Sequence, residues 1–273
     1  MNLSRREFLA ASLVAGGAAA CGFFGDDGPE RIAYGDAPSQ FGELYPRDDP
    51  RGTIVLVHGG SWEQDTDLKI TRPMARDLHR EGYTVWNVEY RRMGEDGGGW
   101  PGTFEDVGAA IDHLADLAGD HPVTPDQAIV VGHSAGGTLA LWAASRGGDV
   151  DPSGYLSLAG VADLEACLQE PVLAPACTRL LGGTPAEVGD RYANASPIEL
   201  LPTGKAVAAV HGEDDEIVPV SQSVDYVRAA RDAGDQADLV QVPRAGHFQL
   251  IDIHHPAYGD VLTAINQLMP SAA

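Results

Sequence analysis

The segment that most constrains the fold is 130-VVGHSAGGTLAL-141, where an apolar run leads through a serine between glycines into a helix-prone stretch. Gly132 and Gly136 flank Ser134 in a Gly-x-Ser-x-Gly pattern between a predicted strand and a predicted helix. So sharp a turn forces its apex residue into a strained backbone conformation, and side chains two positions away would collide. The pattern therefore predicts an exposed serine at the carboxyl end of a central strand, beside a helix N-terminus.

From Thr53 onward, short apolar runs alternate with amphipathic segments, as buried parallel strands alternate with helices. The predicted strands are Thr53–Val57, Thr84–Glu89, Ala128–Val131, Tyr155–Leu158, Ala206–His211 and Asp238–Val242. The predicted helices are Asp67–Glu81, Thr103–Ala118, Thr138–Ser145, Ser221–Ala233 and Pro256–Leu268. This alternation predicts an α/β fold, a doubly wound and mostly parallel sheet with helices on both faces.

Two segments depart from that alternation. Residues 31–50 contain two short alternating stretches with turn residues between them, which indicates an antiparallel pair at one edge of the sheet. Residues 163–202 contain several prolines and two of the three cysteines, and they predict a small cap-like insertion over the strand ends. We therefore expect a single domain over residues 31–270.

The N-terminus has the layout of an export signal. Arg5-Arg6 precede Phe8-Leu9 and an apolar stretch that is too short to span a bilayer. The pattern Ser-Arg-Arg-x-Phe-Leu resembles the twin-arginine signal, which directs folded proteins across a bacterial inner membrane. We expect residues 1–21 to be this signal, residues 22–30 to be a tether, and the protein to reach the cell envelope or the medium.

The three cysteines fit an exported protein. Cys21 follows three alanines and resembles the lipidated cysteine of a lipobox, although Ala18 stands where leucine is usual. Lipidation of Cys21 would tether the protein to a membrane, and ordinary cleavage near residues 18–20 is the alternative. Cys167 and Cys177 then form an even pair in an oxidising compartment, so we expect a disulfide rather than two buried thiols.

The acidic composition restricts the class of partner. The chain has 18 Lys and Arg against 40 Asp and Glu, a net charge of −22 at pH 7. So negative a protein is not expected to bind nucleic acid or to adhere to an anionic membrane surface, because both carry phosphate charge.

Ser134 is a weak nucleophile unless a base lies within hydrogen-bond reach and an acid orients that base. Of nine histidines, His247 is the preferred base because it lies in the loop 243–252, after both the serine and the last predicted strand. His254 and His255, a few residues further on, are the fallback.

The acid is expected in 211-HGEDDEIVP-219, after the preceding strand. Asp214 and Asp215 compete for the role, while Glu213 and Glu216 are expected to face solvent. Asp163, after another predicted strand, is a further candidate, although its position is more typical of a helix N-cap.

Acyl transfer also requires N–H donors for the oxyanion, each of which lowers the barrier by about 3 kcal/mol. The segment 58-HGGSW-62 directly follows the first parallel strand, and its glycines let the backbone approach a bound substrate. The predicted donors are the N–H groups of Gly60, Ser61 and Ala135. Trp62 either lines the substrate pocket or belongs to the core.

Three motifs follow one another along the chain: His-Gly-Gly-x-Trp at 58–62, Gly-His-Ser-Ala-Gly-Gly at 132–137 and His-Gly-x-x-Asp-x-x-Val-Pro at 211–219. In this order and spacing they resemble the α/β-hydrolase superfamily. Within it they are similar to the esterase group that includes kynurenine formamidases and the feruloyl-esterase-like (BD-FAE-like) proteins. Tyr34-Gly35 and 43-ELYP-46 also resemble that group's opening strands.

The resemblance implies a serine hydrolase without metal or organic cofactor, in which Ser134, Asp215 and His247 form the triad. It favours Asp215 over Asp214. Because one fold and one triad serve esters, amides and peptides alike, the motifs leave the substrate open. Export favours a carboxylesterase that acts on small acyl esters, with an arylformamidase or a small peptidase as the alternative. A lipid-anchored binding protein without catalysis is disfavoured, since no triad member is missing.

Overall fold

Eight strands form one sheet in the structure, a computed structural model that describes residues 28–270. The strands are β1 (Glu30–Ala33), β2 (Phe41–Tyr45), β3 (Thr53–Val57), β4 (Thr84–Val88), β5 (Ala128–His133), β6 (Gly154–Leu158), β7 (Ala206–Gly212) and β8 (Gln236–Val242). Their order across the sheet is β1-β2-β4-β3-β5-β6-β7-β8. The pairs β1/β2 and β2/β4 are antiparallel and all the others are parallel, which confirms the predicted fold class and the antiparallel edge.

Eight α-helices accompany the strands within the described residues. They are α1 (Arg72–Arg80), α2 (Gly102–Asp112), α3 (Leu114–Asp120), α4 (Ala135–Ala143), α5 (Ala174–Leu181), α6 (Pro185–Ala195), α7 (Ser221–Ala233) and α8 (Ala257–Leu268). None of these helices combines the length and the apolar character needed to cross a membrane.

The core has two parts, one on each face of the sheet. Along β3, Ile54 and Leu56 point to one face, which α1 and α8 cover, while Val55 and Val57 point to the other, which α2, α4 and α7 cover. Every residue of β3, β4, β5 and β6 is buried. Strands covered on both faces are continuously apolar, which is why they are visible in the sequence as uninterrupted hydrophobic runs.

The predicted elements differ from the observed ones mainly at their ends. The predicted helix over residues 103–118 is two helices, α2 and α3, that meet at His113. The predicted helix over 67–81 begins as a 3₁₀ turn, Leu68–Ile70, and becomes α-helical only from Arg72. Helix α4 begins at Ala135 rather than at the predicted Thr138, and the strand ends shift by one or two residues.

The connection between β6 and β7 contains a helical insertion in place of a simple crossover helix. Besides α5 and α6 it holds two 3₁₀ helices, Ala166–Gln169 and Pro197–Leu200. The expected disulfide is present, with the sulfur atoms of Cys167 and Cys177 at 1.94 Å, and it ties the first 3₁₀ helix to α5. The predicted export signal and Cys21 lie outside the described residues.

Candidate active site

The turn from β5 into α4 holds Ser134 in a backbone conformation that is unusual for a residue with a side chain, with φ 54° and ψ −122°. A methyl group on Gly132 would lie 2.0 Å from the carbonyl oxygen of Gly136. A methyl group on Gly136 would lie 2.2 Å from the carbonyl oxygen of Val57 on the neighbouring strand. Both glycines are therefore required by close packing around the turn, which leaves Ser134 half-buried at its apex.

His247 and Asp215 lie on two different loops and meet side chain to side chain. Nδ1 of His247 donates to Oδ2 of Asp215 at 2.7 Å, and Oδ1 accepts the backbone N–H groups of Ile217 and Val218 at 2.8 and 2.9 Å. Burial alone would raise the pKa of Asp215, but its contacts with His211 and His247 outweigh it and hold that pKa well below its usual range. The carboxylate therefore stays ionised and fixes the proton of His247 on Nδ1.

A second histidine contacts the same carboxylate from the other side. Nε2 of His211 donates to the carbonyl oxygen of Val218 at 2.9 Å and lies 3.4 Å from Oδ2 of Asp215. Its Nδ1 lies 2.7 Å from the hydroxyl of Ser223, and the ring is fully buried. His211 therefore supports the position of Asp215, a contact that the sequence indicated only through the fixed spacing of the two residues.

The other predicted candidates are engaged elsewhere. Asp214 is exposed, and Oδ1 of Asp163 accepts the backbone N–H groups of Glu165 and Ala166 at the start of a 3₁₀ helix. His254 is exposed, and Nδ1 of His255 accepts the N–H of Ala257 at the start of α8. Of the predicted acids and bases, the structure brings together only Asp215 and His247.

The loop after β3 runs directly beside Ser134. A methyl group on Gly59 would lie 2.9 Å from Cβ of Ser134. Gly60, Ser61 and Trp62 follow with positive φ angles of 117°, 54° and 57°. Within residues 28–270, the N–H groups of Gly60, Ser61 and Ala135 donate to no protein acceptor, so they are available to a bound oxyanion.

Two buried side chains, His58 and Glu89, support the loop after β3. Nε2 of His58 lies 2.9 Å from Oε1 of Glu89, while Nδ1 of His58 lies 2.7 Å from the carbonyl oxygen of Gly59. Burial alone would raise the pKa of Glu89, but the hydrogen bond and charge of His58, together with the Arg92 guanidinium, outweigh it and hold that pKa below its usual range. The motif histidine thus acts as a support for the loop, a role that the sequence analysis did not identify.

Trp62 belongs to the core. Its side chain is 2% exposed, and Nε1 donates to the carbonyl oxygen of Ala135 at 3.1 Å. The sequence left open whether Trp62 lines the substrate pocket or belongs to the core, and the structure shows that it belongs to the core. Its indole instead ties the loop after β3 to the start of α4.

The helical insertion reaches the same loop. Arg179 of α5 forms an ion pair at 2.5 Å with Glu63, the residue that follows Trp62 in this loop. A cleft of about 480 Å³ separates the turn after α5 from the segment 93–98, and Met93 donates its N–H to the carbonyl oxygen of Trp62 at 2.7 Å. The insertion therefore lies beside the loop that carries the predicted oxyanion donors.

His133, directly before the serine, contacts the loop of His247. Its Nε2 lies 3.0 Å from the carbonyl oxygen of His247, and the two ring centroids are 4.7 Å apart. Phe248 lies edge-on to His247 with centroids 5.1 Å apart and is 52% exposed. These contacts place His247 beside the turn that carries Ser134.

The serine hydroxyl and His247 are not hydrogen-bonded to each other in the described part of the chain. Such bonds are often long in ligand-free enzymes and shorten when substrate binds. In residues 28–270 no group of three or more His, Cys, Asp or Glu side chains is arranged to hold a metal ion. The arrangement can supply a nucleophile, an oriented base and N–H donors.

Comparison with known proteins shows the family to which the chain belongs. Residues 45–229 match the family model described as BD-FAE. The matched segment contains β3 to β7 and the first part of α7, with Ser134 and Asp215, and it ends before β8 and His247.

Two curated relatives and one solved structure illustrate the similarity. The chain is 27% identical over 218 residues to the kynurenine formamidase avaC of Aspergillus versicolor, an alignment that covers 65% of this chain and 75% of that protein. It is 25% identical over 203 residues to the probable carboxylic ester hydrolase LipM of Mycobacterium tuberculosis, covering 67% of this chain but only 46% of LipM. A truncated carbohydrate esterase from gut microbiota superposes with a TM-score of 0.74 at 20% identity, covering 89% of this chain and 99% of that one.

Proposed function

The chain belongs to the BD-FAE family of α/β-hydrolase-fold proteins, and we propose that it is an exported serine carboxylesterase that cleaves small acyl esters. One observation carries the proposal. A fixed pair of side chains, His247 and Asp215 at 2.7 Å, lies beside the strained turn that exposes Ser134. An oriented histidine near a serine at such a turn supports a role for His247 as the base that activates the serine hydroxyl.

In the proposed reaction, Oγ of Ser134 attacks the ester carbonyl carbon while Nε2 of His247 takes the hydroxyl proton. The carbonyl oxygen becomes an oxyanion that accepts the N–H groups of Gly60, Ser61 and Ala135. His247 then gives its proton to the departing alcohol oxygen, which leaves an acyl-enzyme on Ser134. Water, deprotonated by His247, attacks that intermediate. The bond from the acyl carbon to Oγ of Ser134 then breaks, the carboxylic acid leaves, and His247 returns the proton to Ser134.

A fluorophosphonate probe tests the nucleophile directly. We expect stoichiometric labelling that peptide mapping assigns to Ser134, and loss of both labelling and ester hydrolysis in Ser134→Ala. Hydrolysis of p-nitrophenyl acetate by Ser134→Ala at the rate of the unsubstituted protein would overturn the proposal.

An arylformamidase is the second candidate, because one curated relative is a kynurenine formamidase at 27% identity. Turnover of p-nitrophenyl acetate, N-formylkynurenine and a dipeptide amide under identical conditions separates esterase, formamidase and peptidase. A kcat/KM for N-formylkynurenine above that for simple esters would make the formamidase the better description.

Export by the twin-arginine route is part of the proposal and rests on the sequence of residues 4–22. The intact mass of the mature protein from a bacterial host shows whether the signal is removed, where it is cleaved and whether lipid is added. Cleavage before Cys21 with an added diacylglycerol mass would support a lipid tether, whereas a free Cys21 thiol or cleavage elsewhere would remove the tether from the proposal.

A further inference from the structure

Phe248 has a large apolar side chain that is half exposed to solvent beside the candidate active site. Its side chain is 52% exposed, and among the large apolar residues of 28–270 only Val172, at 70%, is also exposed. The ring contacts His247 edge-on, with an interplanar angle of 87°, and its centroid lies 5.9 Å from that of His133.

The local backbone explains why this ring faces outward. Phe248 begins a 3₁₀ helix, Phe248–Leu250, and its carbonyl oxygen accepts the N–H of Ile251 at 3.1 Å. Leu250 is fully buried and Ile251 is 8% exposed, so the turn directs these two side chains into the core and Phe248 away from it. Ligand pockets are lined mainly by apolar and aromatic side chains, and this ring packs against the proposed base.

The chemistry of the proposed reaction indicates which part of the ligand it contacts. His247 must deliver its proton to the departing alcohol oxygen, so that oxygen has to lie within about 3 Å of the His247 ring. The groups attached to it then lie near the side chains that pack against that ring. In this structure, the exposed aromatic side chain against His247 is Phe248.

From this geometry we propose that Phe248 sets the specificity for the alcohol portion of the ester and favours esters of aromatic alcohols. The inference rests on the proposed esterase function. An aromatic alcohol would cover the exposed ring and remove apolar area from water at both surfaces, whereas ethanol is too small to do so.

Benzyl acetate and ethyl acetate form a matched pair for the test. Both pass through the same acetyl-enzyme, and their alcohols have similar acidity, so the ratio of their kcat/KM values reports the contact with the alcohol alone. We expect Phe248→Ala to lower the benzyl-to-ethyl ratio about tenfold, because benzyl acetate loses the contact with the ring in addition to any loss that it shares with ethyl acetate. Phe248→Leu should give an intermediate ratio.

Val172→Ala is the matched control, because it removes the other exposed large apolar side chain, which lies on the insertion. It should leave the benzyl-to-ethyl ratio unchanged. The acyl side is tested with ethyl phenylacetate against ethyl acetate, and Phe248→Ala should leave that ratio unchanged too.

Three results would overturn the inference. They are an unchanged benzyl-to-ethyl ratio in Phe248→Ala, an equal fall in Val172→Ala, or a fall in the acyl-side ratio instead. Fluorophosphonate labelling of each variant separates these outcomes from failure of the proposed function, since failure of the function abolishes labelling and ester turnover in the unsubstituted protein as well.

Discussion

The side chain of His133 donates a hydrogen bond from Nε2 to the main-chain carbonyl oxygen of His247 at 3.0 Å. The residue before the proposed nucleophile therefore holds the backbone of the proposed base. Burial and the neighbouring His247 lower the pKa of His133 from 6.5 to about 3, so the ring is neutral and its proton stays on Nε2. Its Nδ1 is buried with no hydrogen-bond partner in residues 28–270.

Acid should destabilise the protein through His133. Between pH 6.5 and about 3 the unfolded chain binds a proton at this residue while the folded protein does not, so stability falls as the pH is lowered through this window. The contribution is about 1.4 kcal/mol per pH unit. Urea unfolding of the unsubstituted protein and of His133→Gln, which keeps an N–H donor, measures it as a difference between the two pH slopes.

We expect a shallower slope for His133→Gln below pH 6. Carboxylates that titrate in the same range contribute equally to both proteins and cancel in the comparison. Parallel slopes would mean that His133 takes up its proton without opening the fold, contrary to its burial.

Asp215→Asn should lower kcat for ester hydrolysis by about 10³ to 10⁴, because an amide donates to His247 and disfavours the proton on Nδ1. Asp214→Asn is the matched control: it is the neighbouring carboxylate, but it is exposed and should change kcat less than about twofold. Steady-state kinetics at saturating ester measures both variants. Equal losses would argue against the assignment of Asp215 as the acid.

Gly59→Ala should displace the turn that carries Ser134. Its new methyl group would lie 2.8 Å from the carbonyl oxygen of His133 and 2.9 Å from Cβ of Ser134, and backbone atoms can yield little there. We expect slow fluorophosphonate labelling and a stability loss of about 1–3 kcal/mol. Gly119→Ala in α3, where a methyl group meets nothing within 4 Å, should label normally and be slightly more stable.

Reduction of the disulfide should destabilise the insertion. Cys167 and Cys177 are 10 positions apart, and closing so short a loop contributes about 3 kcal/mol in the chain-entropy description. Thermal unfolding of the double variant Cys167→Ser, Cys177→Ser against the oxidised protein tests this. The same melting temperature with and without reductant would contradict it.

The number and approximate positions of the parallel strands could be predicted, in part because β3 to β6 are covered on both faces and therefore continuously apolar. The start of α4 could not, because Gly136 and Gly137 are poor helix formers that tertiary packing forces into a helix. The break at His113 has no proline or glycine to mark it.

The residues of the candidate site could be predicted where they belong to a sequence motif or follow a fixed order along the chain. The side chains that only support those residues could not be predicted. Ser134, Asp215 and His247 stand in motifs or in a fixed order along the chain. By contrast, the contact of His58 with Glu89 joins the ends of two neighbouring strands, and that of His133 with His247 crosses 114 positions. Pairings of this kind depend on three-dimensional packing that no local pattern encodes.

The proposed nucleophile and the proposed base follow strands that differ in local stability. Ser134 follows β5, which is paired on both sides, whereas His247 follows β8, which pairs with β7 alone among the strands of residues 28–270. Edge strands open more readily than central ones, so amide hydrogen exchange should be faster in β8 than in β5. On warming, the protein would then lose activity when β8 and the loop of His247 open, while the centre of the sheet is still folded. The temperature of heat inactivation would therefore report the stability of this edge of the sheet, not the global unfolding of the protein.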